Sequence, residues 1–292
     1  MTSYTLLACP QDHAPFREDG GALVCTKCSA RFAIRNGIPV FTPPEFAPRF
    51  VEAQAAEAAH HEDAWTKLHV GSLTWVKSLA DYREWLESFY RVGFYAFGFP
   101  ASHFKDRAVL EIGSGPFGML ACLPHGSGVA VDPLMCDFVP YMQQHWTPSP
   151  TRIAALGETL PVATATFDDA VAINCLDHTL EPVKIIREIT RALKPGGFFF
   201  LMNNVKSAAG VAIANAGEKL GISRLTEVFH PHAFTQERLE RDCETAGLEV
   251  LRHCRMKISE PSEITALYGW KGKLRKKVED EHALWILARK RQ

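Results

Sequence analysis

The stretch "VLEIGSGPFGML", residues 109–120, decides the fold. Its apolar opening runs into glycines at 113, 115 and 118, which spell G-x-G-x-x-G. That pattern marks a strand-to-helix turn whose backbone meets a nucleotide closely, because no Cβ intervenes. A carboxylate, Glu111, stands two residues before the first glycine. A dinucleotide lays its pyrophosphate on the amides and positive dipole of the following helix, and a glutamate beside that group repels it. A phosphate-free ligand bearing positive charge is attracted instead.

Outward from this turn the sequence alternates strand and helix. "RAVLEIG", "SGVAVDP", "TRIAALG", "FDDAVAINC" and "GGFFFLMN" read as strands, and "EPVKIIREITRAL" as a helix between the last two. The strands are apolar almost throughout, as expected where helices cover both faces, so the fold class is α/β with an open, mostly parallel, Rossmann-like sheet. Two further runs, "LEVLRHCRM" and "HALWILAR", are expected to finish it as a hairpin at one edge. In such sheets ligands sit at the carboxyl ends of the strands. Asp132 ends the strand after the glycine loop and is placed to accept both hydroxyls of a ribose.

Taken together and in order, these segments resemble the class I S-adenosylmethionine-dependent methyltransferases over residues 105–292. "VLEIGSGPFG" is similar to their first motif and "GVAVDP" to their second. "GETLPVATATFDDAVAINCLDHTLEP" is similar to their adenine-side loop and fourth strand, and "REITRALKPGGFFFLMNN" to their fifth. The resemblance implies S-adenosylmethionine as cofactor. Glu111, Gly113, Ser114, Gly115 and Gly118 would frame its methionine part, Asp132 and Pro133 the ribose, and Gly157 and Glu158 the adenine edge, with Asn174 closing the set from the fourth strand. One position departs from the family pattern: where many members place an acid for the adenine amino group, this chain has Leu156.

The remaining 104 residues divide in two. The chain has eight cysteines, and Cys9, Cys25 and Cys28 crowd into its first 30 residues, a clustering that suits a metal and not a disulfide framework. "LACPQDHAPF" and "LVCTKCSARFAIRNGIPVF" read as two short strand-forming pieces, each opening on a cysteine, and a hairpin closed by "RNGIP". Residues 1–43 resemble a zinc-ribbon module fused to or partnered with methyltransferases. One structural zinc is expected on Cys9, Cys25, Cys28 and either His13 or Asp12, the latter standing where a second C-x-x-C would have its cysteine. Residues 44–104 are expected to form a helical connector or lid. "PPEFAP" is a rigid linker, "EAQAAEAAHHEDAWTKL" has helical composition, and Trp75, Tyr82, Trp85, Phe89 and Tyr90 form an aromatic stripe suited to packing or to lining a substrate site.

Composition narrows the function classes. Of 292 residues 47% are hydrophobic and 22% charged, and the net charge is −1. With a sequence pI near 6.9, no global positive field draws the protein to a nucleic-acid backbone, and the basic C-terminal run from "KGKLRKK" reads as a solvated face. The longest apolar runs are too short to span a membrane, and "MTSYT" lacks a signal-peptide charge pattern, so a cytoplasmic location is expected.

The acceptor is less constrained. "NCLDH" follows the fourth strand where exocyclic-amine and glutamine methyltransferases carry Asn-Pro-Pro-aromatic. A later insertion is expected to supply a helical cap and then "FHPHAF" near the top of the sheet. These features resemble family members that O-methylate small hydroxylated metabolites or glycans. His178 and His232 are then candidate general bases, with Asp177 orienting the imidazole or the acceptor. An rRNA or tRNA base methyltransferase and a non-catalytic cofactor-binding adaptor remain alternatives.

Overall fold

The computed structural model describes residues 4–43, 48–69, 78–219, 232–257 and 282–292. Trp75, most of "PPEFAP", part of the later insertion and the basic run from 271 to 281 lie outside them. The first 43 residues carry β1 (Phe16–Asp19), β2 (Ala22–Cys25), β3 (Arg31–Arg35) and β4 (Ile38–Pro39), a four-stranded antiparallel meander. The β3–β4 hairpin turns on Asn36 and Gly37, whose φ values of 50° and 81° suit an Asn-Gly turn. The piece expected as a strand at "LACPQDHAPF" is irregular and turn-rich up to Pro15; Cys9 leads into its turn, Cys25 ends β2 and Cys28 lies in the turn that follows.

Two helices follow, α1 (Pro48–His69) and α2 (Leu79–Tyr95). The Ser78 side chain caps α2 by accepting from the Asp81 amide at 3.2 Å, and Leu86, Tyr90, Gly93 and Phe94 form its buried face. Gly93 is required by packing: a Cβ there would lie 2.2 Å from the ring of Trp285.

The main sheet begins with β5 (Ala108–Ile112). After it come α3 (Met119–Cys122), β6 (Ser127–Val131), α4 (Met135–Met142), β7 (Thr151–Ile153), β8 (Phe167–Ile173), α5 (Pro182–Ala192), β9 (Leu193–Val205), α6 (Ala208–Lys219), α7 (Gln236–Thr245), β10 (Leu248–Lys257) and β11 (His282–Lys290). The strand order is β10-β11-β9-β8-β5-β6-β7. The central pairs are parallel, while β11 runs antiparallel between β9 and β10. This is the class I methyltransferase fold, and the two C-terminal runs form the expected hairpin. Its central strands are buried on both faces: Leu110 and Ile112 pack with α5 and α7 on one side, and Val109, Val171, Phe200 and Trp285 with α2 and α4 on the other.

The small meander is joined to this sheet at its β7 edge. Val40 bridges Ala154 in parallel, Phe41 donates to the Ala154 carbonyl at 2.7 Å, and Ala154 donates back to Pro39 at 3.0 Å. Leu7, Leu23 and Phe41 enter the same apolar core as β5 and β6. The edge strand, otherwise a row of unpaired amides, is thereby covered.

Candidate active site

The carboxyl ends of the parallel strands form the floor of a cavity of about 750 Å³, within the range of small-ligand sites. Gly113, Ser114, Gly115, Asp132, Pro133, Gly157, Glu158 and Asn174 all line it, as does Leu156. Gly113 adopts φ 64° and lies so close to Cys175 that a Cβ would meet that side chain at 2.2 Å. Gly115 adopts φ 55°, and its amide donates to Asp132 Oδ2 at 2.9 Å. Asp132 Oδ1 accepts from Leu134 at 2.9 Å, so the carboxylate is aimed by the backbone on both sides of it. Burial pushes its pKa up in spite of those two amides. Glu158 Oε1 takes the amides of Leu180 and Glu181 at 2.9 and 3.1 Å, fixing the loop before α5.

Glu111 and Gly118 correct the reading of the opening motif. Neither lines the cavity. Glu111 is 3% exposed, and its carboxylate accepts the amides of Met119 and, at 3.0 Å, of Leu120, the first turn of α3. A Cβ on Gly118 would collide with that carboxylate at 2.4 Å, so this glycine makes room for Glu111 and not for a ligand. The amides on which a pyrophosphate would rest are therefore already occupied by an internal anion. Burial lifts the Glu111 carboxyl to about 7 against the pull of both amides.

Helices α1 and α2 form the roof. From α2 come Tyr82, Trp85, Phe89 and Tyr90, which line the cavity with Trp285. Tyr82, Trp85 and Phe89 stack in series, with ring centroids 6.0 and 5.9 Å apart. The aromatic stripe thus both packs and lines the site: Tyr90 is 6% exposed, Trp85 45%. From α1 come Gln54, Glu57, His60 and His61. Glu57 Oε1 lies 3.3 Å from His61 Nε2, and Oε2 lies 3.8 Å from Nδ1 of His178, the residue expected at the end of β8. Burial opposes ionisation of Glu57, but the His61 hydrogen bond and the charges of His178, His61 and His60 hold its pKa below the usual value. His61 also stands over the glycine loop, 3.7 Å from where a Cβ of Gly115 would be. These α1 groups were missed in the sequence. Their only signal was "EAAHH", a glutamate and a histidine at i, i+4 in a segment legible as helix.

The other two catalytic candidates fall elsewhere. Asp177 is 5% exposed and accepts from Asn203 Nδ2 at 2.9 Å, tying the β8 turn to β9. His232 places Nε2 2.9 Å from the Thr179 carbonyl, an acceptor only, so that nitrogen carries the proton and donates. Its backbone amide donates to Asp177 at 3.3 Å. Neither residue lines the cavity, and both hold the loop after β8 in place.

Away from the cavity, the ligand atoms of Cys9, Asp12, Cys25 and Cys28 lie within 4.8 Å of one another. His13 is not among them, and the two turns show why. Cys9 accepts the His13 amide and donates to Ala14; Cys25 accepts the Ser29 amide and donates to Ala30. His13 therefore matches Ser29, the hinge of each turn, with φ 56° and 62°, while Asp12 matches Cys28. Hydrogen bonds from Lys27 and Cys28 amides to Cys25 Sγ, both at 3.4 Å, suit a thiolate. Three thiols and a carboxylate in this arrangement fit a closed tetrahedral zinc site.

Residues 110–201 match the family model of a methyltransferase domain. The chain is 26% identical over 177 residues to the ubiquinone biosynthesis O-methyltransferase of Paracidovorax citrulli, a match covering 56% of this chain and 73% of that protein. Two structures share the fold. Haemonchus contortus phosphoethanolamine N-methyltransferase 2, solved with phosphomonomethylethanolamine and S-adenosylhomocysteine, aligns with TM-score 0.57 at 17% identity, over 87% of this chain and 62% of that one. The complex of the Haloferax volcanii Trm112 methyltransferase activator with a methyltransferase aligns with TM-score 0.54 at 15% identity, over 85% and 100%. The chain thus has the class I methyltransferase fold, and over residues 110–201 it matches a methyltransferase domain.

Proposed function

We propose that this chain transfers the methyl group of S-adenosylmethionine to a hydroxyl of a small metabolite or glycan within the cavity between floor and roof. The observation that carries the reading is His178, which shares the cavity with the glycine loop and Asp132. The cofactor supplies an electrophilic methyl group on a sulfonium. Asp132 orients the ribose, Gly113 and Gly115 let the backbone approach, and the carboxylates of Asp132, Glu57 and Glu158 favour a cationic cofactor over a pyrophosphate. An alkyl hydroxyl holds its proton far above neutral pH, so His178 accepts that proton as the oxygen attacks. The O-methyltransferase name of the Paracidovorax citrulli relative supports the choice of oxygen. A net charge of −1 and a carboxylate-lined cavity disfavour nucleic-acid acceptors.

The same reading places one structural zinc on Cys9, Asp12, Cys25 and Cys28, where it cross-links the two turns that bear these residues. Among the described residues no helix is long and apolar enough to cross a membrane. Calorimetry with S-adenosylhomocysteine and NAD tests the cofactor, and labelled methyl transfer to a panel of hydroxylated acceptors tests the chemistry. The expected result is binding of S-adenosylhomocysteine alone and label on oxygen. Binding of NAD instead refutes the proposal.

A further inference from the structure

The methyl donor brings two positive groups to the cavity, its sulfonium and the α-ammonium of its methionine end. The acid before the glycines does not receive either, because Glu111 is spent on the amides of α3. Among the described residues, three carboxylates do line the cavity. Asp132 divides its two oxygens between the Gly115 and Leu134 amides, and Glu158 is held by Leu180 and Glu181. Glu57 differs in its setting. It reaches down from α1 and lies between His61, which covers Gly115, and His178, three residues beyond the Cys175 that packs under Gly113. Its carboxylate thus overhangs the gap between the glycine loop and the end of β8. That gap is where the methionine end must run once the ribose is on Asp132.

One turn earlier on the same helix, Gln54 also lines the cavity, and its Oε1 is buried with no hydrogen-bond partner. A buried acceptor left unsatisfied is costly, and its presence beside a ligand cavity indicates a donor supplied by the ligand. Residues three apart on a helix are neighbours on one face. A carboxylate and an amide oxygen so placed match an ammonium group, which carries three N–H donors and one positive charge.

We propose that Glu57 and Gln54 of α1 form the seat of the methyl donor's α-ammonium group. The assignment rests on the reading that this cavity binds S-adenosylmethionine. It gives α1 a role in cofactor selection: the roof helix reads the amino-acid end of the ligand while the strand ends read the nucleoside.

Calorimetry on the full chain with two ligands, S-adenosylhomocysteine and its analogue lacking the α-amino group, tests the assignment. Wild type is expected to prefer S-adenosylhomocysteine by about tenfold or more. Glu57→Gln is expected to bind it about tenfold more weakly while holding the deaminated analogue within about threefold of wild type, so that the preference collapses. Gln54→Leu is expected to lose a smaller share, about threefold, of the same preference. If Glu57→Gln weakens both ligands equally, the residue only seats α1 and the assignment is overturned. If it weakens neither while turnover falls, Glu57 serves His178 and the assignment is likewise overturned. A wild-type protein that binds neither ligand overturns the methyl-donor reading itself, and the ammonium seat with it.

Discussion

Glu111 and Glu57 are both glutamates beside the glycine loop, yet they belong to opposite halves of the cavity and are fixed in different ways. Glu111 is part of the floor. Its position is set by β5, its partners lie eight and nine residues along the chain, and its carboxylate completes the turn that carries it. Glu57 is part of the roof. Its partner His61 is local, but His178 is 121 positions away and meets it only once α1 has docked across the strand ends. The floor is preorganised by the sheet, whereas the roof is organised by helix docking. Disruption of the floor should therefore damage stability and binding together, and disruption of the roof should separate affinity from turnover.

The largest effect is expected where the floor is anchored at its outer edge. The four-stranded meander covers β7, and its turns converge on Cys9, Asp12, Cys25 and Cys28. Elemental analysis should find about one zinc per chain. Removing it with a chelator should lower Tm by about 5 °C or more, because the metal's binding free energy contributes to folding. A metal-free protein that melts identically with and without chelator would remove zinc from the account of the floor. Next in size is Asp132→Ala. It deletes the proposed ribose acceptor and the partner of the Gly115 and Leu134 amides, and should weaken S-adenosylhomocysteine by about 100-fold. A change below threefold, roughly 0.65 kcal/mol, would show that the ribose is held elsewhere.

The same contrast explains which parts of the molecule were legible in the sequence. The strands "RAVLEIG", "SGVAVDP" and "FDDAVAINC" are buried on both faces, so their apolar runs report tertiary position directly, and Asp132 and Asn174 follow from where the runs stop. α5 is equally plain, with Pro182 at its start and Ile185, Ile186, Ile189 and Ala192 on the buried face. Glu111 was legible as unusual but not as a cap, because its partners are backbone amides that no residue type announces. His13 looked as good a ligand as Asp12 until the left-handed backbone at position 13 made it a hinge. "EAAHH" carried no mark of function, since a helix does not declare which face will meet a cavity. His232 drew notice as an imidazole near the sheet top, yet its ring is committed to the Thr179 carbonyl.

The floor's internal anion has a pH signature. Burial lifts the Glu111 carboxyl from its ordinary 4.5 to about 7, with the amides of Leu120 and Met119 pulling the other way. The folded-state value lies above the unfolded one, so the folded chain binds the proton more tightly. The associated stability is complete below about pH 4.5 and is lost as pH rises through 7. The loss is on the order of 3 kcal/mol for a shift of this size. Glu111→Gln cannot ionise, and its stability relative to wild type should rise over the same window. Denaturant unfolding at several pH values reads this directly, and a difference flat from about pH 5 to 8 would mean that Glu111 is not desolvated.

The smallest effect expected is the one that separates roof and floor most cleanly. His178 belongs to the floor by sequence but is paired with the roof through Glu57 at 3.8 Å, while the cavity residues Gly113, Gly115 and Asp132 are fixed independently of it. His178→Ala should therefore lower turnover by at least about tenfold, the lower part of the range for a lost general base, and leave S-adenosylhomocysteine affinity within about threefold of wild type. His232→Ala loses a hydrogen bond to the Thr179 carbonyl and no group in the cavity, so its turnover should fall by less than about threefold. If both variants methylate at the wild-type rate from about pH 6 to 9, no imidazole takes the proton. Catalysis would then rest on holding the acceptor oxygen in line with the methyl group, a task the aromatic wall of Tyr82, Trp85, Phe89 and Trp285 can perform without a base.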